Sequence, residues 1–176
     1  MTSDIPEKFN SDVLLKVYQR MFDAYGPQDW WPADTPFEVM VGAVLTQNTA
    51  WVNVEKAINN LKQNSLLSLD AIVNMPEARL ADLVRSSGYF NVKARRLHNL
   101  CRWLVSVGDL NSLASLETYE FRTRLLSING IGPETADDIL LYAFNRPVFV
   151  IDAYTRRLFS KLKLIHGKEP YESLRR

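Results

Sequence analysis

The chain has 176 residues, 47% of them hydrophobic, and a formal net charge of +1. That length suits one domain or two small lobes, and the apolar share excludes a chain that is mainly disordered. The near-neutral balance excludes a bulk polycation, so any nucleic-acid contact must come from local patches.

Hydrophobic spacing predicts helices throughout. Ser11 to Tyr25 places Val13, Leu14, Val17, Tyr18, Met21 and Phe22 at helical intervals, and Gly26-Pro27 ends the run. Thr35, Pro36 and Glu38 then supply a cap, a first-turn proline and a capping-box acid. The segment they open, FEVMVGAVLTQ, is apolar nearly all round and is expected to be buried. Thr49 opens a further helix through AWVNVEKAINNLKQ, and a short one is expected from Leu69 to Asn74. Pro76 opens the next and Gly88 closes it, after which Asn91 caps a longer helix reaching Val107. Leu116–Ser127, Pro133–Phe144 and Asp152–Leu162 complete the set. Pro147–Ile151 has a strand pattern but is too short and isolated to make a sheet. An all-α fold follows.

Between two of these helices lies Asn129-Gly130-Ile131-Gly132. The glycines permit left-handed angles and close approach by another molecule, Ile131 anchors the loop inward, and Pro133 starts a helix whose first N–H groups suit an anion. Taken alone, Gly-apolar-Gly is more often an ordinary helix–helix turn. Asp152, ahead of AYTRRLF, reads by itself as a helix cap.

Longer strings go further. Leu125 to Ala136 reads L-x-x-I-x-G-I-G-x-x-T-A and is followed by an apolar helix and P-V-F-V-I-D. Phe37–Thr49 (FEVMVGAVLTQNT) and Ser87–Ala94 (SGYFNVKA) precede it in order. Together they resemble the helix-hairpin-helix DNA glycosylases, of which endonuclease III is the best-known member, from about Trp30 to Leu164. The resemblance implies a two-lobed helical fold, with a central domain at 28–146 and a second, partial lobe from 1–27 plus 147–176. Relatives continue for several helices where this chain stops at Y-E-S-L-R-R, so the C-terminal part is expected to be truncated.

The implied activity is release of a damaged base from duplex DNA. The base must leave the stack, and a fixed carboxylate must meet the positive charge that develops on the sugar. Asp152 stands where the family carries that carboxylate. Two places after Gly132, where endonuclease III has the lysine that forms a Schiff base, this chain has Glu134, which implies hydrolysis without a lyase step. The 3-methyladenine glycosylases of the endonuclease III type match better: they share this glutamate, adjacent tryptophans before the first buried helix and an aromatic after Q-N-T. Trp30, Trp31 and Trp51 fill those places. Their rings are expected, with Glu134, to form the pocket for an alkylated purine, since indole faces favour electron-poor bases. Core packing is the competing role for these tryptophans.

For the duplex itself the resemblance implies Gln47 filling the emptied base space, Tyr89 wedging, and Asn91, Lys93, Gly130, Ile131, Gly132 and Thr135 contacting DNA. It also implies a monovalent cation at the hairpin backbone, with no side-chain metal site. Leu83–Gly108 and Ala153–Lys168 each hold five cations and no acid, which suits phosphates flanking those motifs. A single cysteine, Cys101, excludes the four-cysteine iron–sulfur cluster of endonuclease III, and no cofactor is expected. No apolar run approaches the roughly 20 residues of a bilayer span, so a cytoplasmic, nucleoid-associated monomer without a membrane partner is expected. The alternatives are an endonuclease III-like enzyme acting on oxidised pyrimidines or mismatches, or a non-catalytic DNA-binding module.

Overall fold

In a computed structural model, which describes residues 11–108 and 110–175, the chain is all-α as expected, and no described residue lies in a strand. None of its helices is long and apolar enough to cross a membrane. The described residues fall into two units: one from Ala33 to Val148, the other from the residues up to Pro32 and those from Phe149 onward.

The larger unit is organised around α2 (Pro36–Leu45), whose residues from Glu38 to Leu45 are all buried. Thr35 Oγ1 accepts from the Glu38 N–H at 3.1 Å, as the capping box predicts. The Glu38 carboxylate closes the box on Asp34 N (3.1 Å) and also pairs with Lys62 (2.6 Å). The helices α3 (Trp51–Gln63), α4 (Leu69–Asn74), α5 (Glu77–Leu83) and α6 (Phe90–Val107) follow, with a 3-10 turn at Arg85–Ser87. Next come α7 (Leu110–Ala114), α8 (Thr118–Leu126) and α9 (Pro133–Asp138), which runs into a π-helical segment at Ile139–Ala143. Packed against α2 are α3, α6, α9 and the π segment, so an apolar face all round is what its position demands. Beneath the hairpin, the Arg122 guanidinium grips Asp137 at 2.7 and 3.2 Å with both side chains buried.

The smaller unit contains α1 (Ser11–Tyr25), α10 (Ala153–Lys161) and α11 (Tyr171–Arg175). Ile151, Phe159, Leu164, Ile165 and Leu174 form its core, with Val13 and Leu14 of α1 against them. Tyr18, Met21 and Phe22 on α1 remain exposed.

Pro147–Ile151 makes no sheet, as expected: it is irregular backbone, closed locally by Val148 N donating to the Arg146 carbonyl at 2.8 Å. One local expectation is corrected. Asn91 does not cap α6: the helix begins one residue earlier, and Tyr89, left-handed at φ 45°, holds the cap position.

Candidate nucleic-acid interface

Three turns of the larger unit carry the residues singled out above. The first follows α2, which stops at Leu45; the chain turns through Thr46 and Gln47 to Asn48, left-handed at φ 54°. The second leads into α6, through Gly88 at φ 68° and Tyr89 at φ 45°, whose side chain is 71% exposed. A tyrosine in that backbone region is uncommon and leaves the ring outside the helix it starts. The third is the hairpin between α8 and α9.

In the hairpin, Ile131 is buried as expected, and its N–H donates to the Ile128 carbonyl at 3.0 Å. The two glycines serve different ends. Gly130 has φ 100°, and a Cβ there would collide with the Arg96 Cγ and lie 2.9 Å from its Cδ. Gly132 has φ −91°, which any residue adopts, and a Cβ would meet no described atom within 4 Å. Nothing inside this unit calls for a glycine at that position.

Gln47 reaches across to this hairpin. Its Nε2 donates to the Gly130 carbonyl (3.1 Å) and to Thr135 Oγ1 (2.9 Å), while its Oε1 accepts from the Arg96 guanidinium. Asn99, one helical turn beyond Arg96, donates through Nδ2 to the Asn129 carbonyl at 3.0 Å. The resulting cavity, about 490 Å³, is lined by Gln47, Arg96, the hairpin and Glu134, whose carboxylate is exposed. The sequence reading missed Arg96 and Asn99 as hairpin braces. The three-residue steps from Lys93 to Arg96 and from Arg96 to Asn99 are the available signal.

Gln47, Lys93 and Thr135 depart from the expected DNA contacts: the Gln47 amide is spent on the hairpin and Arg96 rather than turned to an emptied base space. Thr135 is buried, and its hydroxyl accepts from Gln47. Lys93 is 1% exposed, with Nζ donating to the Leu45 carbonyl at 2.8 Å and the Ser87 carbonyl at 2.5 Å. Burial, and then the neighbouring Arg96, lower its pKa to about 8. Its amine is spent on main-chain carbonyls inside the unit. Asn91 is exposed, and Trp51 is half-buried at the start of α3.

Asp152 lies in the smaller unit, where it does cap α10: Oδ1 accepts from Thr155 N at 2.6 Å. It borders a cavity of about 430 Å³ with Met21, Tyr154, Arg157 and Lys161. Trp30, 58% exposed, and half-buried Trp31 belong to the same unit. Among the described residues no group of three or more His, Cys, Asp or Glu side chains is placed to hold a metal ion. Cys101 is buried, which pushes its thiol pKa up to about 12.

Two helices joined by a braced hairpin, with an apolar helix and a capping aspartate downstream, define the helix-hairpin-helix class. Residues 41–176 match the HhH-GPD superfamily of base excision DNA repair proteins, and the chain belongs to that family as a base excision DNA repair glycosylase. A Methanocaldococcus jannaschii protein assigned as a DNA repair glycosylase is 48% identical over 93% of this chain and 76% of its own length. Endonuclease III of Thermotoga maritima is 30% identical over 78% of this chain, which spans 62% of that relative. Among solved structures, the H. pylori 3-methyladenine DNA glycosylase bound to 1,N6-ethenoadenine superposes with a TM-score of 0.79. It is 33% identical, over 93% of this chain and 77% of its own. A non-covalent endonuclease III–DNA complex shares the fold, with a TM-score of 0.79 at 20% identity over 94% and 75% of the two chains.

Proposed function

We propose that this chain hydrolyses the N-glycosidic bond of an alkylated purine, 3-methyladenine being the type case, in duplex DNA and without a lyase step. The observation that carries the reading is the hairpin cavity. Gly132 is bare toward the outside on a turn fixed by Gln47, Arg96 and Asn99, and Glu134 rather than a lysine stands two residues on. A bare glycine ahead of the α9 N–H groups suits the close approach of a phosphate. A carboxylate cannot form the Schiff base through which a lyase cleaves the strand. The H. pylori relative supports an alkylated purine as substrate.

In this reading Tyr89 opens the duplex beside the hairpin that Gln47 braces, Trp51 and Glu134 of the larger unit offer a ring and a negative charge to an expelled base, and Trp30 and Trp31 of the smaller unit offer further rings. The bond between base nitrogen and sugar C1′ breaks with its electron pair leaving on the base. Asp152 stabilises the sugar cation, and water then bonds to C1′ while its proton passes to the Asp152 carboxylate. The bond from Thr155 N holds that carboxylate still. The implied hairpin cation would be held by main-chain carbonyls. Those of Ile128 and Gly130 each already accept one donor, which leaves each a second lone pair to share, and no step depends on the ion.

The test is release of free base from methylated duplex DNA. Turnover that disappears in Asp152→Asn, with no borohydride-trapped adduct, is the expected result. Undiminished release from Asp152→Asn, or an efficiently trapped adduct, refutes the roles given to Asp152 and Glu134. Preferential release of oxidised pyrimidines from a lesion panel would move the chain to the alternative substrate class.

A further inference from the structure

The function proposed above leaves Lys93 without a task, and its burial is costly: an ammonium taken out of water must be repaid by its contacts. A methionine would fill the same volume without that cost but would leave two main-chain carbonyls without this donor. The two carbonyls it meets are informative. Leu45 is the last residue of α2, where helix carbonyls lack intrahelical donors, and it lies two residues before Gln47. Ser87 ends the 3-10 turn, is fully buried, and lies two residues before Tyr89. One ammonium therefore joins the main chains that carry the Tyr89 wedge and the Gln47 brace. Arg96, one turn further along α6, fixes the Gln47 side chain itself.

We propose that Lys93 is a positioning residue for duplex opening, a buried clip that holds the Gln47 and Tyr89 turns at one separation so that the Tyr89 ring and the hairpin braced by Gln47 meet the same base step. This rests on the proposed roles of those two side chains. Lys93 touches neither DNA nor base; it acts through the turns.

The experiment compares the full chain with Lys93→Met on duplexes carrying 2-aminopurine beside the lesion, whose fluorescence reports unstacking whether or not a base is released. The clip predicts a loss of opening on the order of tenfold or more for a fully paired lesion, because small displacements of positioning groups have large effects. The loss should be far smaller when the lesion faces a gap and needs no opening. The slope of log affinity against log salt should stay unchanged. Equal losses on both substrates overturn the proposal, as does a slope reduced by about 0.9, the signature of one lost phosphate contact. Reductive methylation of the wild-type chain, mapped by mass spectrometry, decides the matter even if Lys93→Met does not fold. The amine should be protected with and without DNA, and reactivity in the free protein that DNA suppresses would overturn the clip. Absence of base release by the wild-type chain would count against the glycosylase reading alone, since opening, salt slope and footprint do not depend on it.

Discussion

Substituting alanine at each hairpin glycine in turn separates a residue the fold needs from one that only DNA needs. At Gly130 the left-handed angle of 100° costs a non-glycine residue about 1–3 kcal/mol. The new methyl also collides with the Arg96 side chain, whose bond to Gln47 must then be given up. Charge-assisted bonds contribute about 1.5–3 kcal/mol when buried, and half-exposed Arg96 recovers part of that from water. Gly130→Ala should therefore destabilise the free protein by about 2–4 kcal/mol, visible as a lower midpoint in urea with unchanged slope. At Gly132 the angle is ordinary and the space is open. A stiffer unfolded chain gives Gly132→Ala up to about 1 kcal/mol, and a poorer cap for α9 removes about as much. Its stability should be unchanged. Duplex binding should nevertheless weaken about 10–100-fold, because a methyl then stands where a phosphate oxygen must meet the helix N–H groups. Fluorescence anisotropy on a lesion duplex measures this. A Gly132→Ala protein that binds as the wild type does, or that loses more than about 2 kcal/mol of stability, refutes the assignment.

Arg122→Met strips the buried Asp137 carboxylate of its guanidinium and should cost about 3–5 kcal/mol in urea unfolding. The double variant Arg122→Met/Asp137→Leu should recover most of it, and a single-variant cost below about 1 kcal/mol would contradict the pair's burial. His98 has its pKa lowered from 6.5 by burial and then by Arg102, with Glu77 opposing. Below pH 6.5 the unfolded chain therefore takes up a proton that the folded chain refuses, so stability falls as pH drops from 6.5 toward the lower folded value. His98→Gln should flatten that slope, and an unchanged pH profile would show that the ring is not the group responsible. Arg95 and Arg102 are the exposed cations of α6 without a brace role. If this face meets DNA, alanine at each should reduce the salt slope of binding by about 0.9, whereas unchanged slopes in both would place the phosphates elsewhere.

Elements with local punctuation were legible in the sequence. The end of α1 follows from Gly26-Pro27, and the start of α2 from the Thr35 cap, whose Oγ1 accepts from Glu38 N. Failures came where partners are distant in sequence. Tyr89 starts α6 in a left-handed conformation on a turn that Lys93 ties to Leu45 of α2, and no local cap rule foresees that. The capping box accounts for Glu38 only in part, since Lys62 on α3 meets it. A five-residue helix such as α7 offers too little period to detect. In the site, glycine spacing showed where a backbone can be approached, but charge spacing could not show which way a lysine points. Nor does the apolar stripe of α1 say which half is covered: Val13 and Leu14 are packed, while Tyr18, Met21 and Phe22 are exposed.

Direction matters most on α6. Lys93, Arg96 and Asn99 follow at three-residue steps, each advancing roughly 300° at 3.6 residues per turn, so neighbours lie about 60° apart on one side of the helix. That side carries the three turns of the larger unit at once: Lys93 ties the Gln47 and Tyr89 turns, Arg96 holds the Gln47 amide and covers Gly130, and Asn99 holds Asn129. Two of the five cations between Leu83 and Gly108 are thus spent inside the protein. Of the other three, Arg85 pairs with Asp82, which leaves Arg95 and Arg102 as the cations this stretch can offer to phosphates. Under the function proposed above, recognition draws also on what a rigid set of turns can do that charge cannot, which is to open a base step at fixed spacing and test the base that comes out.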